Sequence, residues 1–145
     1  MFPYDLPIWR VSHRAASPDG NQWAEVVDTM EVSMGNPRLG VLRASIGLHL
    51  QKCNPAFIWS DDSRYIAIPQ FRFFCGLQLK QRLLVIDTVD RKVFASRGIA
   101  SYIQPESFVY GRLVVSANPH HKKRTIEFTV PDVLSSFRLL PATWL

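Results

Sequence analysis

The sequence predicts an all-β protein, mainly antiparallel, and three observations carry that expectation. Apolar and polar residues alternate in several stretches, clusters of turn-forming residues separate those stretches, and helical spacing is confined to the tail. The arrangement that accommodates them is a meander of β-hairpins forming an open or propeller-like twisted sheet or a sandwich, with a short C-terminal helix.

Between Trp23 and Met34, Ala24, Val26, Met30, Val32 and Met34 alternate with Glu25, Thr29, Glu31 and Ser33, the pattern of a half-buried strand. Asp28 falls on the apolar side, where an ionised carboxyl needs a partner, so a buried Asp bonded to an arginine is expected. Gly35-Asn36-Pro37 reads as a turn. The alternation returns as Leu42, Ala44, Ile46, Leu48 and Leu50 against Arg43, Ser45, Gly47, His49 and Gln51, completing an antiparallel hairpin.

Phe57-Ile58-Trp59 and Tyr65-Ile66-Ala67-Ile68 flank Ser60-Asp61-Asp62-Ser63. Short Ser and Asp side chains can bond nearby backbone amides, so this break is expected to be a tight turn. Phe71 to Lys80 reads as strand with a glycine bulge. Leu83-Leu84-Val85-Ile86 is unbroken apolar and reads as a strand buried on both faces, turning through Asp87 to Lys92 into Val93-Phe94. Phe108 to Ser116 and Thr125 to Val130 form a last pair. Pro131 can open a helix carrying Val133, Leu134, Phe137 and Leu140 at near-helical spacing.

The chain has 145 residues, of which 47% are hydrophobic and 20% charged. Those values fit a single β domain over residues 1–145 with a packed core, and argue against a disordered chain. Cys53 and Cys75 show no metal-ligand spacing and read as reduced thiols. Asp5 and the prolines of MFPYDLPIWR oppose a secretory signal, and no apolar run approaches the ~20 residues that span a bilayer, so a cytoplasmic protein without a membrane partner is expected.

No nucleophile elbow, phosphate-cradling glycine loop or spaced metal ligands occur, and neither a cofactor nor a metal is expected. Asp61, Asp62, Asp87 and Asp90 have a sufficient local role in turns. The net charge of +5 suits an acidic protein, a nucleic acid or plain solubility. His120-His121-Lys122-Lys123-Arg124 is the densest basic run and would concentrate positive charge on a hairpin tip able to contact phosphates or acidic side chains. A solvated turn that discourages edge pairing explains the run equally well. Trp23, on the more polar side of its strand, is a candidate contact residue.

The segment PAFIWSDDSRYIAI, from Pro55 to Ile68, resembles the strand-turn-strand of a WD40 or TolB-like β-propeller blade, and LLVIDTVDRKVF, ending at Phe94, resembles that blade's second hairpin. Ser17-Pro18-Asp19-Gly20 followed by Trp23 is a fainter echo. The resemblance implies paired hairpins and a macromolecule-binding surface, and carries no chemistry. The functional expectation is a non-enzymatic protein-binding domain, most concretely a cytoplasmic inhibitor or immunity protein that neutralises an acidic toxin domain. The alternatives are a nucleic-acid-binding module using the basic tip and an accessory subunit of a larger β assembly.

Overall fold

A computed structural model describes residues 7–31, 37–74, 78–98, 100–118, 122–141 and 143–144, with the side chains of 73, 74, 78, 79, 143 and 144 left aside. Val32, Met34, Gly35, Asn36, Cys75, the bulge expected at Gly76, His120 and His121 lie outside the described residues.

In chain order the strands are β1 (His13–Ala16), β2 (Trp23–Met30), β3 (Leu39–Ala44), β4 (Leu48–Cys53), β5 (Ile58–Trp59), β6 (Tyr65–Phe74), β7 (Gln78–Asp87) and β8 (Lys92–Ala95). There follow β9 (Ile103–Val109), β10 (Arg112–Ala117), β11 (Arg124–Thr129), a short helix α1 (Val130–Ser136), β12 (Arg138–Leu140) and β13 (Thr143–Trp144). Every pairing among the described residues is antiparallel. The mainly antiparallel meander of hairpins is therefore as the alternation predicts.

The larger sheet runs β1-β2-β3-β4-β6-β7-β8-β12, with β5 on β6 and β13 on β4; the smaller runs β11-β10-β9. Leu83 to Ile86 explains how they stack. Leu84 and Ile86 join a core with Val26, Leu42 and Ile66, while Leu83 and Val85 point the other way, into a core shared with Ile103, Phe108 and Val115 of the smaller sheet. Period two within one apolar run thus feeds two cores. Burying each such Leu or Ile contributes roughly 2 kcal/mol. The tail ties the layers together, because β12 pairs with β8 and β13 with β4.

Five expectations need correction. Leu42 to Leu50 is not one strand: β3 ends at Ala44, Gly47 turns at φ 92°, and β4 begins at Leu48 and pairs back on β3. Phe71 to Lys80 is likewise divided between β6 and β7, which pair with each other as a hairpin. Phe108 to Ser116 is two strands, because Tyr110 and Gly111, at φ 52° and 72°, make a two-residue turn between β9 and β10. Both positive φ values suit the tight hairpin connection whose twist matches its strands. Asp28 is not buried: it sits at a bulge in β2 with φ 54° and is 72% exposed, 3.8 Å from Arg43. The bulge shifts the alternation by which Asp28 was placed inside. The tail helix stops at Ser136. Thr129 and Asp132 close its N-terminus as a capping box, Phe137 is already extended, and Leu140 belongs to β12.

Candidate functional site

Strand directions bring one set of chain segments to one end of the molecule. β6 runs out and β7 begins there, Arg138 enters opposite Ala95, and Ala117 pairs with both Ile103 and Arg124. Gln81 fastens the layers at this end: its N–H donates to Ala100 O (2.7 Å), Ala100 N–H returns the bond (3.0 Å), and Ile103 N–H donates to Gln81 Oε1 (2.5 Å). Arg72, Arg82, Arg97, Arg124 and Arg138 all belong to this end. Among the described residues, no carboxylate lies within 4.0 Å of any of the five. Glu31 and Glu106, also here, face Arg38 and Lys123, each at 3.8 Å.

The opposite end holds the turns with Asp19, Asp61, Asp62, Asp87 and Asp90. Asp61 accepts from Tyr110 N–H (3.2 Å), which locks the β9-β10 turn beside the β5-β6 turn. Arg64 is committed there to Asp87 and Asp90 at 2.9 and 3.2 Å. Five arginines with no carboxylate within 4.0 Å among the described residues thus gather at one end, and the turn carboxylates at the other.

Beside the basic end a cavity of about 320 Å³ opens between the layers. Its wall is mainly apolar, with Leu83, Ile103, Val115, Ala117, Phe128 and Phe137 among the residues that build it, and Arg97 and Arg124 are also part of the lining. Both arginines are exposed, so they stand where the cavity meets solvent. Arg97 Nε donates to Ser136 O at the end of α1 (3.0 Å), which ties its side chain to the helix end.

No family model, curated protein or solved structure matches the chain.

Of the predicted basic run, Lys122 is exposed at φ 51°, Lys123 faces Glu106, and Arg124 opens β11 and lines the cavity. Trp23 is not part of this site. It starts β2 beside the turn that bonds Ser63 and Thr88, at the carboxylate end, and the Arg14 guanidinium covers its ring at 4.3 Å. Arg72, Arg82, Arg97 and Arg138 were not legible as a group, because they come from separate strands and loops. A usable signal was present: Ser63 to Ile86 contains no Asp or Glu yet includes Arg72, Lys80 and Arg82. Among the described residues, no group of three or more His, Cys, Asp or Glu is arranged to hold a metal, and no helix is long and apolar enough to cross a membrane.

Proposed function

We propose that this chain is a non-enzymatic binding protein whose basic end grips an acidic protein segment, with neutralisation of a toxin domain as the concrete case. The observation that supports this reading is the pairing of an apolar cavity with two exposed, carboxylate-free arginines. A phosphate backbone would be attracted by the charge but has nothing to place in an apolar slot. A protein segment has both parts, an apolar side chain to fill the cavity and carboxylates to meet Arg97 and Arg124.

The test is comparative capture, with and without nuclease treatment, from cells of the source organism, using wild-type protein, the double variant R97E/R124E, the cavity-filling variant A117L and the opposite-end control K92E. The proposal expects a protein with an acidic surface segment that wild type and K92E retain, that R97E/R124E loses and that A117L holds more weakly. Material that vanishes with nuclease assigns the end to nucleic acid instead. A set of captured proteins unchanged in R97E/R124E contradicts the proposal.

A further inference from the structure

A second feature of the basic end lies across β7 from the cavity. Arg82 follows the side-chain direction of Leu84 and Ile86, so it closes the first core where that core reaches solvent. Two donors of its guanidinium, Nε and Nη2, point to one acceptor, Gln70 Oε1, at 2.9 and 2.8 Å. Gln70 is itself held, donating from Nε2 to Gln51 O at 3.0 Å. A neutral amide therefore orients Arg82 and leaves its charge uncompensated. An arginine fork has five N–H donors, so further donors on Arg82 remain for an outside acceptor.

Arg72 lines one open cavity with Arg82, and Arg138 lies opposite Ala95, which pairs with Leu84. Burial first, then the charges of Arg72 and Arg138, push the Arg82 pKa down to about 10. Like charges gathered on nearby strands, with no carboxylate within 4.0 Å among the described residues, attract an anion that can meet them together. The space for one is present, an open cavity of about 400 Å³ lined by Gln51, Lys52, Gln70, Phe71, Arg72 and Arg82. The Gln70 brace distinguishes Arg82 from an ordinary solvated arginine, because it orients the central fork and leaves less ordering for a ligand to impose.

We propose that Arg82, oriented by Gln70 and flanked by Arg72 and Arg138, is a binding site for a tetrahedral oxyanion of the phosphate type, either free phosphate or the phosphate of a monoester. A dianion answers three guanidinium charges better than a carboxylate, and its paired oxygens match the fork.

Isothermal titration at constant ionic strength tests this with inorganic phosphate, glycerol 1-phosphate, sodium acetate and a thymidine oligonucleotide, whose backbone offers only diesters. Saturable one-to-one binding of phosphate or glycerol phosphate is expected, and the tighter of the two identifies the source. Acetate and the oligonucleotide should each bind at least about tenfold more weakly. R82Q should abolish binding. The exposed variants R72Q and R138Q, which leave the core untouched, should each weaken it severalfold. Acetate or oligonucleotide binding as tight as phosphate, no saturable signal with phosphate, or R72Q and R138Q both binding like wild type would overturn the proposal.

Discussion

Ser17 and Ser60 do the same work in two turns far apart in the chain. Ser17 Oγ donates to Asp19 Oδ1 (2.6 Å) and accepts from Gln22 N–H (3.1 Å), while Asn21 N–H donates to Asp19 Oδ1 (2.9 Å). Ser60 Oγ donates to Asp62 Oδ1 (2.5 Å) and accepts from Tyr65 N–H (2.9 Å), while Arg64 N–H donates to Asp62 Oδ1 (3.1 Å). Gly20 and Ser63 take the positive φ, 76° and 64°, at matching places. The turns also touch, since Asp19 N–H donates to Ser63 Oγ at 2.9 Å. Both serines are buried, so Ser17→Ala and Ser60→Ala each strand a backbone amide and should cost about 1–3 kcal/mol. Urea unfolding measures this, and losses no larger than that of the exposed control Ser135→Ala would show the hydroxyls to be dispensable.

Arg64 clamps Asp87 through two bonds, Nε to Oδ1 at 3.0 Å and Nη2 to Oδ2 at 2.9 Å. Burial works to raise the Asp87 pKa, but the Arg64 bond, then the Asp90 and Val89 amides, outweigh it and hold the carboxyl below its ordinary value. A depressed folded-state pKa gives stability that is complete above the unfolded value near 4 and is lost as pH falls through the folded one. Asp87→Asn should cost about 2–4 kcal/mol at pH 7, Arg64 being partly solvated, and should flatten the acid limb of stability against pH. An acid limb identical to wild type would refute this linkage.

His13 should add a second slope at milder pH. Burial, then the charge of Arg10, lower its pKa, and its ring packs on Phe57 at 4.7 Å. Its contribution should be complete above the unfolded value near 6.5 and decline as pH falls through the folded one. Proton NMR of the His13 ring should show a midpoint below that of a free histidine peptide, and an equal midpoint would contradict the assignment.

Cys53 is fully buried, and burial pushes its thiol pKa up to about 12. With almost no thiolate at pH 8 it should resist iodoacetamide in the native state and react only at the rate of unfolding. Peptide mass spectrometry follows it separately from Cys75. Rapid native labelling of Cys53 would show that the β4 end of the core is open.

Gly40 faces the bulge at Asp28. A Cβ there would lie 2.4 Å from Val27 O and 2.8 Å from Thr29 Cγ2, so Gly40→Ala must push β3 off β2. A loss of roughly 2–4 kcal/mol is expected, and a Tm within a degree of wild type would mean that the bulge yields freely.

What the residues disclosed in advance depended on how local the physics was. The two-sided burial of Leu83 to Ile86 and the Ser60 turn were legible because each rests on a few neighbouring side chains. The β9-β10 turn was hidden because Tyr110 and Gly111 sit within a β-rich run, where one glycine also fits a strand. Helical spacing misled beyond Ser136, where Phe137, edge-on to Phe128 at 5.1 Å, and the pairing of Arg138–Leu140 with β8 decide the conformation. The site divides the same way. Lys122, Lys123 and Arg124 stand together in the chain, whereas Arg72, Arg82, Arg97 and Arg138 meet only once the register of four strands is set.

The central claim is that recognition belongs to the basic end. Backbone amide NMR during titration with a short poly-glutamate peptide tests it most directly. Saturable shifts concentrated around Arg97, Arg124 and the neighbouring cavity lining are expected, diminishing as salt rises. Shifts centred instead on the turns carrying Asp19, Asp61 and Asp87, or none at all, would contradict it.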